Sequence, residues 1–324
     1  MSKLIESQAQ ETQAILERVL YELKKIIVGQ EHLLERLIIA VITGGHVLVE
    51  GAPGLAKTLT LKCLSQVMSV DFKRIQFTPD LLPSDLIGTR IYNPSSGTFS
   101  TEVGPVFANF ILADEINRAP AKVQSALLEA MQEHQVTIGR ETFPLNEPFM
   151  VMATQNPIES EGTFNLPEAQ LDRFLFKLLI QYPSAEEEMV IIQRMSGEAL
   201  PELEPLLDKD SILTMQNQAH SVYLDPKLMQ YIVDLIDATR KPGQKNILYG
   251  ASPRGSLALA NASKAMALVN GRTYVTPSDI EKLVHDCLRH RVILSYEGLA
   301  NGLTPDTLLS EISATVPAPT MTGV

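Results

Sequence analysis

Cysteine is scarce in this sequence: its 324 residues contain two, Cys63 and Cys287. Both lie in segments with helical spacing, and two cysteines do not make a disulfide framework. A chain without disulfides is typical of a reducing compartment, so we expect a cytoplasmic protein. Cys287 lies close to His285 and His290, but no second Cys/His pair completes a tetrahedral zinc set. An ordinary amphipathic helix is the better interpretation of that cluster.

Long apolar runs and an excess of positive charge are also missing. The first residues are too polar for a signal peptide, and no apolar run is long enough to span a bilayer, so we expect no membrane insertion. The net charge of −11 gives no overall positive field for nucleic acid or anionic lipid, although a local basic groove stays open. With 45% hydrophobic residues the composition is that of a globular protein, and the length favours two domains.

A glycine-rich segment, GAPGLAKT at residues 51–58, follows an apolar run at 46–50 and opens a segment with helical spacing. In a strand–loop–helix arrangement, the loop amides of such a segment point at phosphate oxygens. Lys57 then reaches the β and γ phosphates, and the Thr58 hydroxyl ligates Mg²⁺. The usual pattern has glycine where Ala56 stands, so we expect Ala56 in an ordinary helical conformation, because alanine does not easily adopt positive φ. The alternative is a simple strand-to-helix turn with a surface lysine.

Two carboxylates end a second apolar run, FILADE at residues 110–115. Asp114 is placed to bind the metal through its water shell, and Glu115 to orient and polarise the attacking water. The alternative is an ordinary strand whose acidic end faces solvent. The phosphate loop upstream makes the catalytic interpretation the better one.

Strands and helices alternate after the phosphate loop, as a parallel sheet requires. A helix with Pro120 at its start separates the third and fourth strands. The five strands are predicted at residues 46–50, 73–77, 111–114, 149–154 and 174–179.

Two β-hairpins and a helical C-terminal region complete the predicted fold. The hairpins pair residues 89–92 with 98–101 and residues 135–138 with 141–143, and neither is needed to complete the sheet. They are therefore candidate working surfaces. Pro183 ends the sheet, so we expect an α/β domain over residues 1–183 and an all-helical domain over 184–324. Its helices are predicted at 184–195, 209–222, 226–239, 253–270 and 277–290, with a loosely ordered tail.

Three polar residues outside these two motifs are candidates for catalysis. Asn156 follows the fourth strand, where it can hold the attacking water, although a turn-capping asparagine is the simpler alternative. Arg173 lies at the mouth of the fifth strand, where it cannot easily reach its own nucleotide but can reach that of a neighbour in a ring. Its alternative is a salt bridge with Asp172 or Glu168. Arg254 lies in the first turn of a helix, where it can touch the γ phosphate and couple a lid to the nucleotide.

Taken together, these segments resemble the AAA+ ATPases, and within them the MoxR family. The resemblance covers almost the whole chain, and alanine at position 56 is a variant that this family uses. The segments that carry it are GAPGLAKT at 51–58, ILADEINRAP at 111–120, ATQNP at 153–157, LPEAQLDRF at 166–174 and SPR at 252–254.

The resemblance implies a P-loop AAA+ module with a parallel β-sheet core sandwiched by helices, two β-hairpin insertions and a smaller all-α lid domain. It implies Walker A at 51–58, Walker B at 111–115, sensor 1 at Asn156, the arginine finger at Arg173 and sensor 2 at Arg254. The break at Val28 and Gly29 suits a loop that folds over the nucleotide base, or else a plain interhelical turn. The residues expected to bind ATP are Val28, Gly29, Gly51, Ala52, Pro53, Gly54, Leu55, Ala56, Lys57, Thr58 and Leu59.

The resemblance also implies partners. Family members look like hexameric, chaperone-like ATPases that mature or activate other proteins, often with a separate von Willebrand factor A domain protein. Arg118 is a further candidate for contact between subunits. Two alternatives stay open: a DNA-directed AAA+ motor, which the acidic balance disfavours, and a non-hydrolysing nucleotide switch, which Glu115 and Arg173 disfavour.

Overall fold

The computed structural model describes residues 2–52, 54–95, 97–156, 162–197, 200–241 and 245–320. Up to residue 183 its elements are α1 Ser2–Lys24, α2 Glu31–Thr43, β1 Val47–Glu50, α3 Lys57–Val67, β2 Phe72–Gln76, α4 Pro83–Ile87, β3 Gly88–Asn93, β4 Thr98–Val103, β5 Phe110–Asp114, α5 Ala121–Glu133, β6 Gln135–Ile138, β7 Glu141–Pro144, β8 Met150–Gln155, α6 Glu168–Leu171 and β9 Phe176–Leu179, with 3₁₀ turns at Pro105–Phe107 and Ile116–Arg118.

Five parallel strands form the main sheet, in the order β2-β5-β8-β1-β9. Their apolar runs are buried on both faces, as expected of a parallel sheet covered by helices. Alternate residues of β1 enter two different cores: Val47 and Val49 pack with α1, α2 and α3, whereas Leu48 packs with α5. The predicted α/β fold and its five strands are therefore confirmed, with bounds that differ by at most two residues.

The parallel arrangement brings the carboxyl ends of three neighbouring strands to one edge. Gly51 follows β1, Glu115 follows β5 and Asn156 follows β8, and these strands are adjacent in the order β5-β8-β1. The edge of the sheet therefore collects the side chains that the sequence singled out, in agreement with the general position of ligands in such folds.

Both predicted hairpins are present, as antiparallel pairs outside the main sheet: β3 with β4, and β6 with β7. Gly139, at φ 68°, makes the turn of the second hairpin. The first hairpin carries exposed apolar side chains, among them Tyr92 and Phe99, which are directly paired across the strands with ring centroids 5.1 Å apart. The guanidinium of Arg90 lies over the Phe99 ring, 5.1 Å from its centre.

The chain after residue 183 is mainly helical. Its elements are α7 Ala185–Met195, α8 Lys209–Ser221, α9 Pro226–Ala238, β10 Ile247–Tyr249, α10 Pro253–Val269, α11 Pro277–Glu281, α12 Val284–Leu288, β11 Ile293–Leu294, α13 Tyr296–Ala300 and α14 Pro305–Thr315. No helix among the residues described is long and apolar enough to cross a membrane.

This helical part differs from the expectation in several details, and its helices α13 and α14 were not predicted. The helix predicted over 277–290 is two short helices, α11 and α12, because the Leu283 amide bonds to the carbonyl of Ile280 and tightens the chain into a three-residue turn. A short antiparallel pair of β10 and β11 stands among the helices. Val316, in the loose tail predicted over residues 315–320, packs partly buried against the main core.

Candidate functional site

The phosphate loop joins β1 to α3, as predicted. Gly51 allows close packing, since a Cβ there would lie 2.9 Å from the Ile180 carbonyl oxygen, and Gly54 has a φ of 83°. Lys57 Nζ donates a hydrogen bond to the Gly51 carbonyl, at 2.6 Å. Burial lowers the pKa of Lys57, although Asp114, Glu115 and Glu50 oppose that effect. Pro53, another residue expected to bind ATP, lies outside the described residues.

The expected helical conformation of Ala56 was wrong. Ala56 has a φ of 55° and a ψ of 18°, in the left-handed region, and stands just before the first residue of α3. Its carbonyl accepts hydrogen bonds from the Thr60 amide, at 2.8 Å, and from the Thr60 hydroxyl, at 3.0 Å. The left-handed conformation costs a non-glycine residue about 1–2 kcal/mol, which the surrounding loop and helix must offset.

The two carboxylates after β5 are held by a network from both neighbouring strands. The Thr154 hydroxyl on β8 donates to Asp114 Oδ1, at 2.7 Å, and accepts from the Glu115 amide, at 2.8 Å. From β2, Arg74 donates to Asp114 Oδ2 at 2.7 and 3.0 Å, and Gln76 donates to Glu115 Oε2 at 3.0 Å. Both carboxylates are therefore fixed at the sheet edge.

Glu115 itself has an unusual backbone. Its φ of 55° places it in the left-handed region, where non-glycine residues are uncommon and costly. The Glu115 carboxylate also pairs with Arg118 Nε, at 2.8 Å. Arg118 was a candidate for contact with a neighbouring subunit, and the structure gives it this partner within its own chain.

One pocket of about 420 Å³ collects most of the predicted site. Lys57, Glu115 and Asn156 line it with the phosphate loop, and we call it the phosphate pocket. Its lining residues are Gly51, Gly54, Leu55, Ala56, Lys57, Thr58, Leu59, Arg74, Asp114, Glu115, Thr154, Gln155 and Asn156.

The phosphate pocket also fits a magnesium ion. The Thr58 hydroxyl and the Asp114 carboxylate both line it, and each supplies the oxygen ligands that this hard cation prefers. Mg²⁺ usually takes one or two protein ligands and completes its shell with phosphate oxygens and water. Asp114 Oδ2 also accepts a hydrogen bond from Arg74 Nη2, at 2.7 Å.

Three residues expected to bind nucleotide do not line the phosphate pocket. Val28 and Gly29 form the loop between α1 and α2, where a Cβ on Gly29 would lie 2.5 Å from Glu187 Oε1 at the start of α7. Ala52 belongs to the phosphate loop, and its side chain is buried. The contact of Val28 and Gly29 with a nucleotide base stays a prediction.

Arg173 and Arg254 line a second pocket, of about 280 Å³, which we call the arginine pocket. Arg173 Nη1 donates to the Leu128 carbonyl at 2.7 Å. Asp172 forms its salt bridge with Arg291, and the alternative salt bridge between Arg173 and Asp172 is absent. Arg254 lies in the first turn of α10, as expected. Three guanidinium groups and one carboxylate line this pocket, which is therefore suited to an anionic ligand.

Sequence reasoning missed Arg74, Gln76 and the role of Thr154. Arg74 and Gln76 could have been found, because residues two apart in a strand share a face of the sheet. The parallel register places Gln76 opposite Asp114, so both side chains lie on a strand next to the carboxylates. No comparable signal was available for Thr154, because its hydroxyl contacts Asp114 and Glu115 only when β8 lies beside β5.

The suspected zinc cluster does not converge. His285 Nε2 bonds with the Ser310 hydroxyl at 3.0 Å, whereas His290 Nε2 donates to the Phe174 carbonyl at 3.0 Å. Burial raises the pKa of the Cys287 thiol to about 12, so this group stays protonated. The three side chains serve the packing of α12.

Comparisons with known proteins agree with this geometry. The model of the ATPase family associated with various cellular activities (AAA) matches residues 46–176, and the AAA lid domain model matches residues 244–312. The chain is 50% identical over 316 residues to Chaperone MoxR1 of Mycobacterium tuberculosis, which covers 95% of this chain and 84% of that protein. It is 32% identical over 323 residues to Protein MoxR of Methylorubrum extorquens, covering 92% and 93%.

A solved structure is similarly close. The crystal structure of a protein from Cytophaga hutchinsonii, assigned as an ATPase, matches with a TM-score of 0.92 at 47% identity. The match covers 98% of this chain and 99% of that one.

Proposed function

Because the chain belongs to the MoxR family of AAA+ ATPases, we propose that copies of it assemble into a ring, a hexamer, in which ATP hydrolysis at subunit interfaces remodels protein clients. Each subunit supplies a phosphate pocket to one interface and an arginine pocket to the next. The domain boundary at residue 183 belongs to this proposal, with the lid after it.

The phosphate pocket holds the groups for binding and water activation. Lys57 supplies positive charge for the β and γ phosphates, and Glu115 accepts a proton from the attacking water while Asn156 orients it. Thr58 and Asp114 would hold Mg²⁺, which when bound neutralises charge on the phosphates.

One observation carries the proposal of a shared site: Arg173 and Arg254 line a pocket that is separate from the phosphate pocket of their own chain. The phosphate pocket has Lys57 and Arg74 but no arginine finger of its own among the described lining residues. An arginine from a neighbour stabilises charge on the transferred phosphoryl group and increases the rate by about 10³ to 10⁵. Both arginines therefore act on the ATP of the adjacent subunit.

Separate assays of binding and turnover test this arrangement. Arg173→Ala and Arg254→Ala should bind a fluorescent ATP analogue with the affinity of the parent protein, yet lose most phosphate release. Lys264→Ala is the control, because Lys264 is another cation that donates to one carbonyl, that of His220 at 3.0 Å, and lines neither pocket. Full turnover in Arg173→Ala would refute the shared site.

The client-remodelling step is proposed for the β3–β4 hairpin. It exposes Tyr92 and Phe99, an unusual amount of aromatic surface for a short insertion, and such rings bind extended polypeptide well. Clients trapped by a Glu115→Gln protein should co-purify with it and be lost from a Glu115→Gln, Phe99→Ala double variant. Equal recovery from both proteins would exclude the hairpin.

Two further partners are part of the proposal. The relatives named Chaperone MoxR1 and MoxR favour protein clients, and we infer that a separate von Willebrand factor A domain protein assists. A DNA-directed motor would show hydrolysis that DNA stimulates, and the acidic net charge of −11 disfavours it. The cytoplasmic location and the contact of Arg118 with a neighbouring subunit stay predictions.

A further inference from the structure

We propose that Asp172 is a positioning residue that joins Arg173 and Arg254 into one unit, so that the two arginines reach the adjacent nucleotide together. This inference rests on the proposed shared site and adds a residue to it. Asp172 precedes Arg173 in the chain, and its side chain reaches the helix that carries Arg254.

The two carboxylate oxygens of Asp172 have different partners, both donors. Oδ2 accepts from the Ser252 hydroxyl at 2.7 Å, and Oδ1 accepts from Arg291 Nε at 2.7 Å. Ser252 and Arg291 both lie after residue 183, whereas Asp172 belongs to the sheet-bearing part of the chain. The carboxylate therefore ties the two parts together beside the arginine pocket.

Ser252 links the Asp172 carboxylate to the backbone of Arg254. Its hydroxyl oxygen accepts from the Arg254 amide at 3.1 Å while its proton goes to Asp172, and Ser252 is the N-cap of α10. The Ser252 hydroxyl therefore donates one hydrogen bond and accepts another, and these two bonds fix the first turn of α10 relative to Asp172. Arg254 stands in that turn.

Arg291 fixes the other arginine through the backbone. This buried guanidinium donates to the carbonyls of Asp172 at 3.1 Å, Phe174 at 2.7 Å and Leu175 at 3.2 Å. The segment on which Arg173 stands is therefore clamped on both sides. Arg173 Nη1 donates to the Leu128 carbonyl at 2.7 Å, and its buried Nε has no protein partner among the residues described.

Replacing the carboxylate by an amide weakens both contacts. In Asp172→Asn the amide oxygen accepts from Arg291 without the negative charge, and the amide nitrogen donates to the Ser252 hydroxyl, which must turn its own proton away from residue 172. A shift of about 1 Å in a positioned group costs about 100-fold in rate, so we expect phosphate release to fall 10- to 100-fold. ATP binding should not change, because the phosphate pocket is not touched.

The charge of Asp172 makes the outcome diagnostic. Removing it leaves the arginine pocket more positive, so a purely electrostatic role would predict equal or faster hydrolysis, whereas positioning predicts slower hydrolysis. Ser252→Ala should reproduce the slow phenotype, and Ser252→Thr, which keeps the hydroxyl, should restore turnover. A wild-type or raised rate in Asp172→Asn would overturn the proposal.

The matched control is Asp286→Asn. Asp286 is another carboxylate that joins the two parts of the chain, through Arg36 Nε at 2.7 Å, but it lines neither pocket. We expect it to lower the midpoint of unfolding while the turnover of the assembled protein is retained. Equal losses of turnover in Asp286→Asn and Asp172→Asn would assign Asp172 a structural role only.

A mixing experiment separates positioning from misfolding. Asp172→Asn has an intact phosphate pocket, and Glu115→Gln has an intact arginine pocket, so a mixed oligomer rebuilds complete sites at some interfaces. The 1:1 mixture should release phosphate several-fold faster than the average of the two separate proteins. Arg173→Ala mixed with Glu115→Gln is the parallel arm.

The two arms distinguish the two claims. If Arg173→Ala is complemented and Asp172→Asn is not, the positioning role of Asp172 is refuted and the shared site survives. If neither mixture gains activity, the shared site itself fails and the positioning role fails with it.

Discussion

Exchange of the Glu115 carboxylate for an amide is the most informative single change in the phosphate pocket. Glu115→Gln keeps the size of the side chain and an oxygen that accepts from Gln76 and Arg118. The amide is a far weaker base, and loss of a general base costs about 10²- to 10⁴-fold, or about 3 to 5 kcal/mol in the barrier. We therefore expect the protein to bind ATP and to hydrolyse it at least about 100-fold more slowly.

The expected loss of stability is much smaller than the loss of rate. The Glu115 and Arg118 side chains are 28% and 40% exposed, and an ion pair in such a setting contributes less than about 1 kcal/mol. The left-handed backbone at Glu115 is unaffected, since glutamine has the same preferences. Urea unfolding should therefore be close to that of the parent protein, and a large loss of folded protein would mean that the kinetic effect is not local.

Glu50→Gln is the matched control for this experiment. Glu50 ends strand β1 at the same edge of the sheet, is 26% exposed and pairs with Lys177 at 2.7 Å, but does not line the phosphate pocket. Phosphate release and binding of a fluorescent ATP analogue are measured for both variants. Hydrolysis by Glu115→Gln at the rate of Glu50→Gln would remove Glu115 from the mechanism.

Three more predictions follow from the same geometry. Thr154→Val should lower the free energy of unfolding by about 1–3 kcal/mol and slow turnover, because the Glu115 amide loses its acceptor, and Thr154→Ser should restore both; equal unfolding curves would contradict this. Ala56→Gly should raise the free energy of unfolding by about 0.5–1 kcal/mol because φ is positive, whereas in an ordinary helical conformation glycine would lower it. Burial lowers the pKa of His46 to about 4, so the unfolded chain binds more protons between pH 6.5 and 4, and the free energy of unfolding should decrease by up to about 3 kcal/mol as the pH is lowered from 6.5 to 4; urea titrations of His46→Asn should show a smaller decrease.

The sequence was sufficient for those features that depend on local spacing. The phosphate loop needs GAPGLAKT between a strand and a helix, and apolar runs buried on both faces identify the parallel strands. Adjacent strands then bring Glu115 and Asn156 to one edge. These predictions needed only the chain order and the geometry of a parallel sheet.

Features that depend on docking between distant segments were beyond the sequence. Arg254 lies in its predicted helix turn, but the packing of α10 against the rest of the chain decides which pocket it lines. The left-handed Ala56 is set by its loop and by Thr60, against its own preference. The role of Asp172 requires Ser252 and Arg291, which are 80 and 119 residues away in the chain.

The central claim is that one active site is built from two subunits. The most direct measurement is phosphate release per subunit across a dilution series, with the mass of the oligomer determined by light scattering on the same samples. We predict that turnover per subunit rises with the assembled fraction and is negligible where only single copies remain. Single copies that release phosphate as fast per subunit as the assembled protein would contradict it.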